Sequence, residues 1–458
     1  MGDTTAAPRL GTLIIGNCQA GVQLASTLRE LGDTDPITLV GEEPHAPYQR
    51  PPLSKAFLKG EATADSLAFR THDFYREHSI DLVPRERIFR IVRNADGGVA
   101  TAESGRTFAF ARLALTTGAA PRTIPFEGSE LEGVSYLRTA TEATVLEQQL
   151  REARNVVVVG GGFIGLEVAA GARAAGKNVT VLEAAPRLVG RAVSEQTSEF
   201  YLQAHRRRGI RVVLNAQVVR FVGEHDRVTG VELGPRDGDG SGEIVAADVV
   251  LIGVGVVPRT ELAVQLGLEV DNGIVVDARA LASDGLTVAA GDCANMPNPS
   301  IGDFGVGRIR LESVQNAVEQ AKVAAATLLG LPAEHRTVPW FWSDQADLKL
   351  QIAGLSGGHD RVVLRGEPDS EKFSVLYYRG GRLIAADCIN SPLDFMAVKN
   401  ALHKGLSVPA DVATDTTVPL KKLFAAVETA DAGRAVPAPA AVDLAPPAVP
   451  VPAGSPAA

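Results

Sequence analysis

One supersecondary unit is written twice in this chain. Thr12 to Glu43 reads TLIIGNCQAGVQLASTLRELGDTDPITLVGEE, and Val156 to Pro186 reads VVVVGGGFIGLEVAAGARAAGKNVTVLEAAP. Each passes from an apolar strand through a glycine-punctuated turn into an Ala-rich helix, then into a second strand that ends in acid. The strands are continuous apolar runs rather than alternating ones, the pattern of a parallel sheet covered on both faces. Two such units in 458 residues predict an α/β protein with two Rossmann-like dinucleotide-binding domains.

Composition excludes several other classes. Hydrophobic residues make up 45% of the chain and charged residues 22%, the balance of a folded protein rather than a disordered one. Lys and Arg number 45 against 54 Asp and Glu, a net charge of −9, which disfavours nucleic acid and anionic membrane surfaces as partners. The three cysteines, Cys18, Cys293 and Cys388, stand far apart with no CxxC, so they offer no disulfide framework, metal cluster or dithiol redox centre. The eight histidines show no ligand spacing, and no metal is expected. The opening MGDTTAAPRL does not read as a signal peptide, and Ala6 breaks the N-myristoylation pattern. No run approaches the ~18 apolar residues of a membrane span, and a cytoplasmic protein is expected.

Strand-like stretches with hairpin signals separate the two units, including RIFRIVRNADGGVATAESGRTFAFARLALTTG, whose turn falls at Asn94 to Gly98. A similar meander runs from Ile210 to Gly255. The chain is expected to leave the first unit near Thr117 and Gly118 and to return between Asp248 and Pro258, which inserts the second unit in the first. The expected division is residues 1–118 and 249–331 for the two parts of the first domain and 119–248 for the insertion. Residues 332–428 then form a C-terminal α+β interface domain, and 429–458 a disordered Ala/Pro-rich tail.

In the second unit Gly160, Gly162 and Gly165 satisfy GxGxxG between strand and helix. The first glycine permits the tight turn, the second admits a pyrophosphate close to the backbone, and the third lets the helix approach the strand. The helix N-terminus attracts the phosphates. Glu183 lies 18 residues past Gly165, where a carboxylate accepts both ribose hydroxyls of an adenosine. NADH is therefore favoured over NADPH, since a 2′-phosphate about 4 Å from that carboxylate meets roughly 4 kcal/mol of repulsion per charge pair at an effective dielectric of about 20. Arg187 and Arg191 are placed to offset part of it. The first unit reads Gly16, Asn17, Cys18, Gln19, Ala20, Gly21, with Cys18 in the place of the middle glycine. Glu42, 21 residues past Gly21, falls near the ribose position. A second dinucleotide is expected here, held less tightly because of the Cys18 side chain.

One chain with two nucleotide sites and neither metal cluster nor redox cysteines needs an organic carrier between NADH and its acceptor. FAD is the economical choice, because a flavin takes up a hydride and releases electrons singly.

The segments PYQRPPLSKAFL, LALTTGAAPR, GGGFIGLEVA, GVGVVP, GDCA, RLESVQNA and PWFWSDQ follow in that order between about residues 10 and 425. In this combination the chain resembles the FAD-dependent, NADH-using ferredoxin reductases of oxygenase systems, of the putidaredoxin and rhodocoxin reductase type. That family has the pyridine nucleotide-disulfide oxidoreductase fold without the redox disulfide. The resemblance implies hydride transfer from NADH to FAD and delivery of single electrons to a [2Fe-2S] ferredoxin that serves a cytochrome P450 or a Rieske-type oxygenase. Beside the fingerprint glycines Gly16, Gly21, Gly160 and Gly165, it implies FAD contacts at Ala20, Glu42, Arg50, Lys55, Ile88, Arg138, Asp292 and Val314. NADH contacts are implied at Gly162, Phe163, Ile164, Glu183, Arg191, Gly255 and Glu312.

By the same likeness Lys55 and Glu167 form a candidate ion pair at the flavin, with positioning and electrostatic roles, and Trp342 stacks near the ring. Packing alone accounts equally for Phe163 and accounts for Trp340. Asp292 is placed to bond ribityl hydroxyls or to close a turn. Ser313 opens a helix whose N-terminus either faces the ring or is structural. Lys322, Lys349 and Arg361 are candidates for a basic footprint under an acidic ferredoxin. The chain departs from the family at Cys18, at Thr116 in place of Ala, and at Ala346 where Tyr is common. Two other functions stay open: a ferredoxin-independent NADH oxidase or quinone reductase, and a redox-sensing interaction protein like apoptosis-inducing factor.

Overall fold

The structure, a computed structural model, describes residues 10–94, 96–235, 242–299 and 307–432. The first repeat folds as β1 (Thr12–Ile15), α1 (Gln19–Glu30) and β2 (Ile37–Val40). The second folds as β3 (Asn155–Val159), α2 (Phe163–Ala174) and β4 (Asn178–Glu183). Each heads a five-stranded parallel sheet. The first runs Val288–Ala289, Arg112–Leu115, β1, β2, Ile80–Val83, and the second runs Arg211–Leu214, β4, β3, Val249–Ile252, Val134–Ser135. The apolar runs are buried as their pattern requires: every residue of β1 is buried, as is β3 beyond Asn155. Fully buried Ile14, Leu24, Leu28 and Leu39 each contribute about 1.5–3 kcal/mol over an exposed side chain.

A three-stranded antiparallel sheet accompanies each Rossmann unit, at Ile88–Asn94, Gly97–Ala102 and Thr107–Phe110 in the first and at Val218–Glu224, Arg227–Leu233 and Ile244–Ala246 in the second. These are the hairpin-rich stretches of the sequence.

The chain crosses between the two units on two short antiparallel strands, Ala119–Pro121 going out and Val256–Pro258 coming back. The Arg122 amide donates to the Gly255 carbonyl at 2.9 Å. This corrects the expected boundary at residue 248. Val249–Ile252 is buried between β3 and Val134–Ser135 as a strand of the second sheet, so the insertion keeps it and ends after Gly255. A fully apolar run of four residues fits either sheet by sequence alone, and only its neighbours decide.

The C-terminal region is a five-stranded antiparallel sheet in the order Trp340–Gln345, Leu348–Gly354, Arg382–Ile389, Lys372–Arg379, Arg361–Glu367. Helix α3 (Glu195–Arg207) belongs to the insertion and α4 (Val314–Leu328) to the first unit, and β5 (Trp340–Gln345) is the edge strand of the C-terminal sheet. Helix α5 (Pro392–His403) and the helix Leu420–Ala432 back the sheet. The last helix overruns the tail expected from residue 429, because the Ala-rich sequence sustains it and no proline occurs before Pro437. The rest of that expected tail, 433–458, lies outside the described residues. Residues of α3 and the C-terminal sheet share one core: Phe200 meets Phe373 edge to face at 4.9 Å. Among the described residues no helix is long and apolar enough to cross a membrane.

Candidate functional site

The carboxyl ends of both parallel sheets, the start of α4 and strand β5 enclose a cleft of about 1760 Å³, beyond the roughly 300–1,000 Å³ of a pocket for one small ligand. It is lined by Gly16, Ala20, Glu42, Arg50, Lys55, Ile88, Arg138, Asp292, Val314 and Trp342, and by Gly160, Gly162, Phe163, Ile164, Glu167, Glu183, Arg191, Gly255 and Glu312. Gly21 and Gly165 lie outside this lining. A Cβ on Gly21 would fall 2.0 Å from the Gly16 carbonyl, and one on Gly165 would fall 2.3 Å from the Gly160 carbonyl. They let helix meet strand.

The two turns are near copies. Gly16 has φ +114° and Gly160 +110°, and a Cβ at either would strike a backbone carbonyl, of Thr116 at 2.1 Å or Gly253 at 2.4 Å. Cys18 and Gly162 then precede α1 and α2 in extended conformation, and neither supplies a side-chain cap. Thr139 and Ser194 do cap their helices. The first amides of α1 and α2 are thus presented to the cleft as anion sites. At Gly162 an added Cβ would find no protein atom nearer than 3.9 Å, so the space beside this turn is left for a ligand. These features fit a dinucleotide in each turn.

Cys18 is tolerated because an extended residue takes a side chain without strain. Its Sγ accepts from Arg50 Nε at 3.1 Å, and Arg50 is further held by Glu43 Oε1 and the Arg138 carbonyl, both at 2.5 Å. Burial works against the Arg50 charge, but Cys18, Glu43 and Tyr48 outweigh it and raise the pKa. Thr116 is explained as well: its hydroxyl donates to the carbonyls of Ile15 at 3.1 Å and Gly16 at 2.8 Å, pinning the first turn.

Around the rim, Glu183 accepts the amides of Gly161 at 2.6 Å and Ala185 at 2.7 Å. Arg187 donates to the carbonyls of Val193 at 2.8 Å and Gly190 at 2.6 Å, so it is committed to the backbone rather than to a 2′-phosphate. Arg191 stands exposed in the cleft. Glu42 pairs with Arg259, Arg138 with Asp292, and Glu312 with Arg310, each at 2.7 Å. Arg259, Arg310 and Glu43 escaped the sequence reading, since their partners are distant in sequence or their charges carry no motif.

The prolines of Pro51–Ser54 fix a 3-10 turn that presents Lys55. Lys55 Nζ lies 2.7 Å from Glu167 Oε2. Glu167 is buried on α2, and its carboxylate also accepts Ser54 Oγ at 2.5 Å and Ser343 Oγ at 2.7 Å. Ser343, like Arg259, Arg310 and Glu43, is a functional candidate that carries no motif in the sequence. One turn earlier on α2, Phe163 faces Phe341 with ring centroids 4.7 Å apart. Aromatic contacts continue from Phe341 to Trp342 at 6.4 Å, Trp340 at 5.5 Å and Phe395 at 5.9 Å. Ser313 caps α4 through the Asn316 amide at 3.1 Å, with Val314 in the cleft lining.

Of the three cations expected in a basic footprint, Lys322, Lys349 and Arg361, two form ion pairs. Lys322 pairs with Glu319 at 3.0 Å and Arg361 with Asp411 at 2.5 Å. The cation beside the tryptophans is Lys399, with Nζ 4.7 Å from the Trp340 ring. It shares a face of α5 with Leu393 and Met396, 85% and 48% exposed. Burial disfavours the charged ammonium and lowers the Lys399 pKa, with Glu319 opposing in part. Among the described residues no three His, Cys, Asp or Glu side chains gather to hold a metal ion.

The family model described as pyridine nucleotide-disulphide oxidoreductase matches residues 11–321, and one described as reductase C-terminal matches residues 340–424. Rhodocoxin reductase of Rhodococcus erythropolis is 42% identical over 416 residues, 91% of this chain and 95% of that protein. The ferredoxin reductase for the CYP199A2 system from Rhodopseudomonas palustris superposes with a TM-score of 0.84 at 40% identity, covering 90% of this chain and 99% of that one. The reductase of the covalent putidaredoxin reductase–putidaredoxin complex does so with a TM-score of 0.85 at 38% identity, covering 92% and 100%.

Proposed function

This chain belongs to the pyridine nucleotide-disulphide oxidoreductase family, and on that premise we propose an FAD-dependent NADH:ferredoxin oxidoreductase that serves an oxygenase system. The observation that carries it is one continuous cleft onto which both dinucleotide turns open, with the Lys55–Glu167 pair in its lining. FAD, when bound, supplies the chemistry that accepts a hydride from NADH and releases electrons one at a time.

The chain's own residues bind, orient and shield. The first unit holds FAD, with the α1 amides on its pyrophosphate, Glu42 at its ribose and the Arg138–Asp292 pair beside its ribityl chain. The second unit holds NADH, with the α2 amides on the pyrophosphate and Glu183 accepting the adenosine ribose hydroxyls. Phe163, braced by Phe341, covers the nicotinamide pocket and excludes water. Lys55 and Glu167 neutralise one another at the reacting face, and losing Lys55 would strand the buried Glu167 charge at a cost of up to about 3–5 kcal/mol.

Relatives of this chain include a rhodocoxin reductase and a reductase solved in covalent complex with putidaredoxin. The partner read for this chain is accordingly an iron–sulfur ferredoxin of the [2Fe-2S] kind, feeding a cytochrome P450 or a Rieske-type oxygenase. Its docking face is formed by Trp340, Trp342, Leu393, Met396 and Lys399. The cytoplasm suits three unpaired cysteines.

Anaerobic titration of flavin-loaded protein with NADH is expected to bleach the absorbance band near roughly 450 nm. Cytochrome c reduction should then require added ferredoxin. Rapid turnover with oxygen or quinone alone, or slow reduction ending in a stable charge-transfer complex, would overturn the ferredoxin assignment.

A further inference from the structure

The Lys55–Glu167 pair is backed by a hydrogen-bonded chain that leads away from the cleft. Ser343 Oγ donates to Glu167 Oε1 at 2.7 Å, and Gln345 Nε2 donates to Ser343 Oγ at 3.2 Å. His205 Nε2 stands 2.7 Å from Gln345 Oε1. With its amide N–H given to Ser343, Gln345 offers only an acceptor to the ring, so His205 Nε2 carries the proton. The other nitrogen, Nδ1, is buried without a hydrogen bond. Burial lowers the His205 pKa, with Gln345 opposing in part, and the ring is a neutral donor. Each donor in the chain points toward Glu167.

Element geometry explains the register. Phe341, Ser343 and Gln345 share one face of β5 by alternation. Four residues of α2 rise about 6 Å and two residues of β5 about 6.6 Å. Phe163 and Glu167 on the helix therefore meet Phe341 and Ser343 on the strand in step. Gln345, one repeat further, reaches the last turn of α3 at His205.

We propose that Ser343 and Gln345, with His205 behind them, are positioning residues that fix the Glu167 carboxylate, and through it the Lys55 ammonium, for NADH oxidation in this cleft. The proposal rests on the FAD and NADH reading above. Ser54 and Lys55 both bond Glu167 Oε2, whereas Oε1 is held by Ser343. Without that donor the carboxylate is anchored at one oxygen and is free to turn, and Lys55 turns with it. Ser343, Gln345 and His205 are fully buried, so water does not readily replace them. The chain also ties the ion pair to β5, the strand that carries Trp340 and Trp342.

The test uses flavin-loaded wild type, S343A and S343T in stopped-flow reduction by NADH, with flavin content and thermal unfolding recorded for each. S343A is expected to lower the limiting rate of bleaching about tenfold while the NADH Kd stays within about twofold, and S343T to restore at least about half of the rate. A merely structural serine would show no such split and no rescue by a hydroxyl. Nitrogen-15 NMR of wild-type His205 supplies a readout independent of activity and of the variants: the Nε2–H tautomer is expected throughout pH 6 to 8. An unchanged limiting rate in S343A, or a His205 ring that protonates within that range, would overturn the proposal. Wild-type protein that NADH fails to bleach would instead overturn the underlying FAD and NADH reading, and this proposal with it.

Discussion

Cys18 and Gly162 hold the same position in the two copies of one motif, each an extended residue leading into a helix whose first amides lack a side-chain cap. The consequences of substitution differ along the turn. Gly162→Ala should fold normally, since nothing in the protein lies within 3.9 Å of the added carbon, yet raise the NADH KM about tenfold or more by filling ligand space. Gly160→Ala, with φ +110° and a carbonyl 2.4 Å from the new carbon, should lose stability by at least about 1–3 kcal/mol. Cys18→Ala should leave the FAD Kd within about threefold, because the first turn already carries a Cβ and only the contact to Arg50 is lost. Steady-state kinetics, flavin-to-protein ratios and thermal unfolding check all three.

Glu183 decides between the two nicotinamide cofactors. Glu183→Gln keeps an acceptor for only one of the two turn amides of Gly161 and Ala185 and removes the charge, and with it roughly 4 kcal/mol of repulsion toward a 2′-phosphate at about 4 Å and a dielectric of about 20. The kcat/KM for NADPH is expected to rise about tenfold or more and that for NADH to fall by a similar factor. Arg191→Ala in the same background should remove the NADPH gain, whereas Arg187→Ala should not, because Arg187 is bound to the carbonyls of Val193 and Gly190.

Asp387 gives the junction between the insertion and the C-terminal sheet a pH dependence. It is fully buried and accepts the hydroxyls of Tyr377 and, at 2.8 Å, Thr197. Burial is the largest influence and raises its pKa from 3.8 to about 6, with the two hydroxyls pulling part of the way back. A carboxyl raised in the folded state stabilises the fold while protonated, so its contribution is complete below about pH 4 and is lost as pH rises through about 6. Relative to Asp387→Asn, wild-type stability should therefore fall by about 2 kcal/mol between pH 4 and 7. Denaturant unfolding of both proteins at several pH values measures that gap, and a constant gap would contradict the assignment.

The docking face is tested by charge reversal away from the nicotinamide pocket. Lys399→Glu and Leu393→Asp should raise the KM for ferredoxin about tenfold, with a steeper loss at low salt for the lysine variant. Reduction of ferricyanide by NADH should stay within about twofold, since neither side chain lines the cleft.

The fold was legible because its information is local. Apolar runs, glycines at φ-demanding turns and acids at strand ends announce the two Rossmann units without reference to anything distant. The glycines and acids that line the cleft were visible for the same reason. The support of Glu167 was not. Ser54, His205, Ser343 and Gln345 are ordinary polar residues in three distant segments, and only the seating of β5 on α2 and α3 makes them one chain. Charge pairing divides in the same way. Glu319 lies three residues before Lys322 on a helix, a spacing that sequence displays. Asp411 is 50 residues from Arg361, and its neutralising effect appears only in three dimensions. The strand Val249–Ile252 was assigned to the wrong sheet because both sheets demand the same apolar run.

The outgoing and returning strands at Ala119–Pro121 and Val256–Pro258 bring the two ends of the insertion together, with Arg122 bonded directly to Gly255. A segment whose ends are neighbours can be replaced by a homologous module without opening the host sheet, provided the replacement rebuilds the core that α3 shares with the C-terminal sheet. Such an exchange is coupled to the acceptor-facing surface, because Glu167 and His205 of the insertion bond the same strand that carries Trp340 and Trp342.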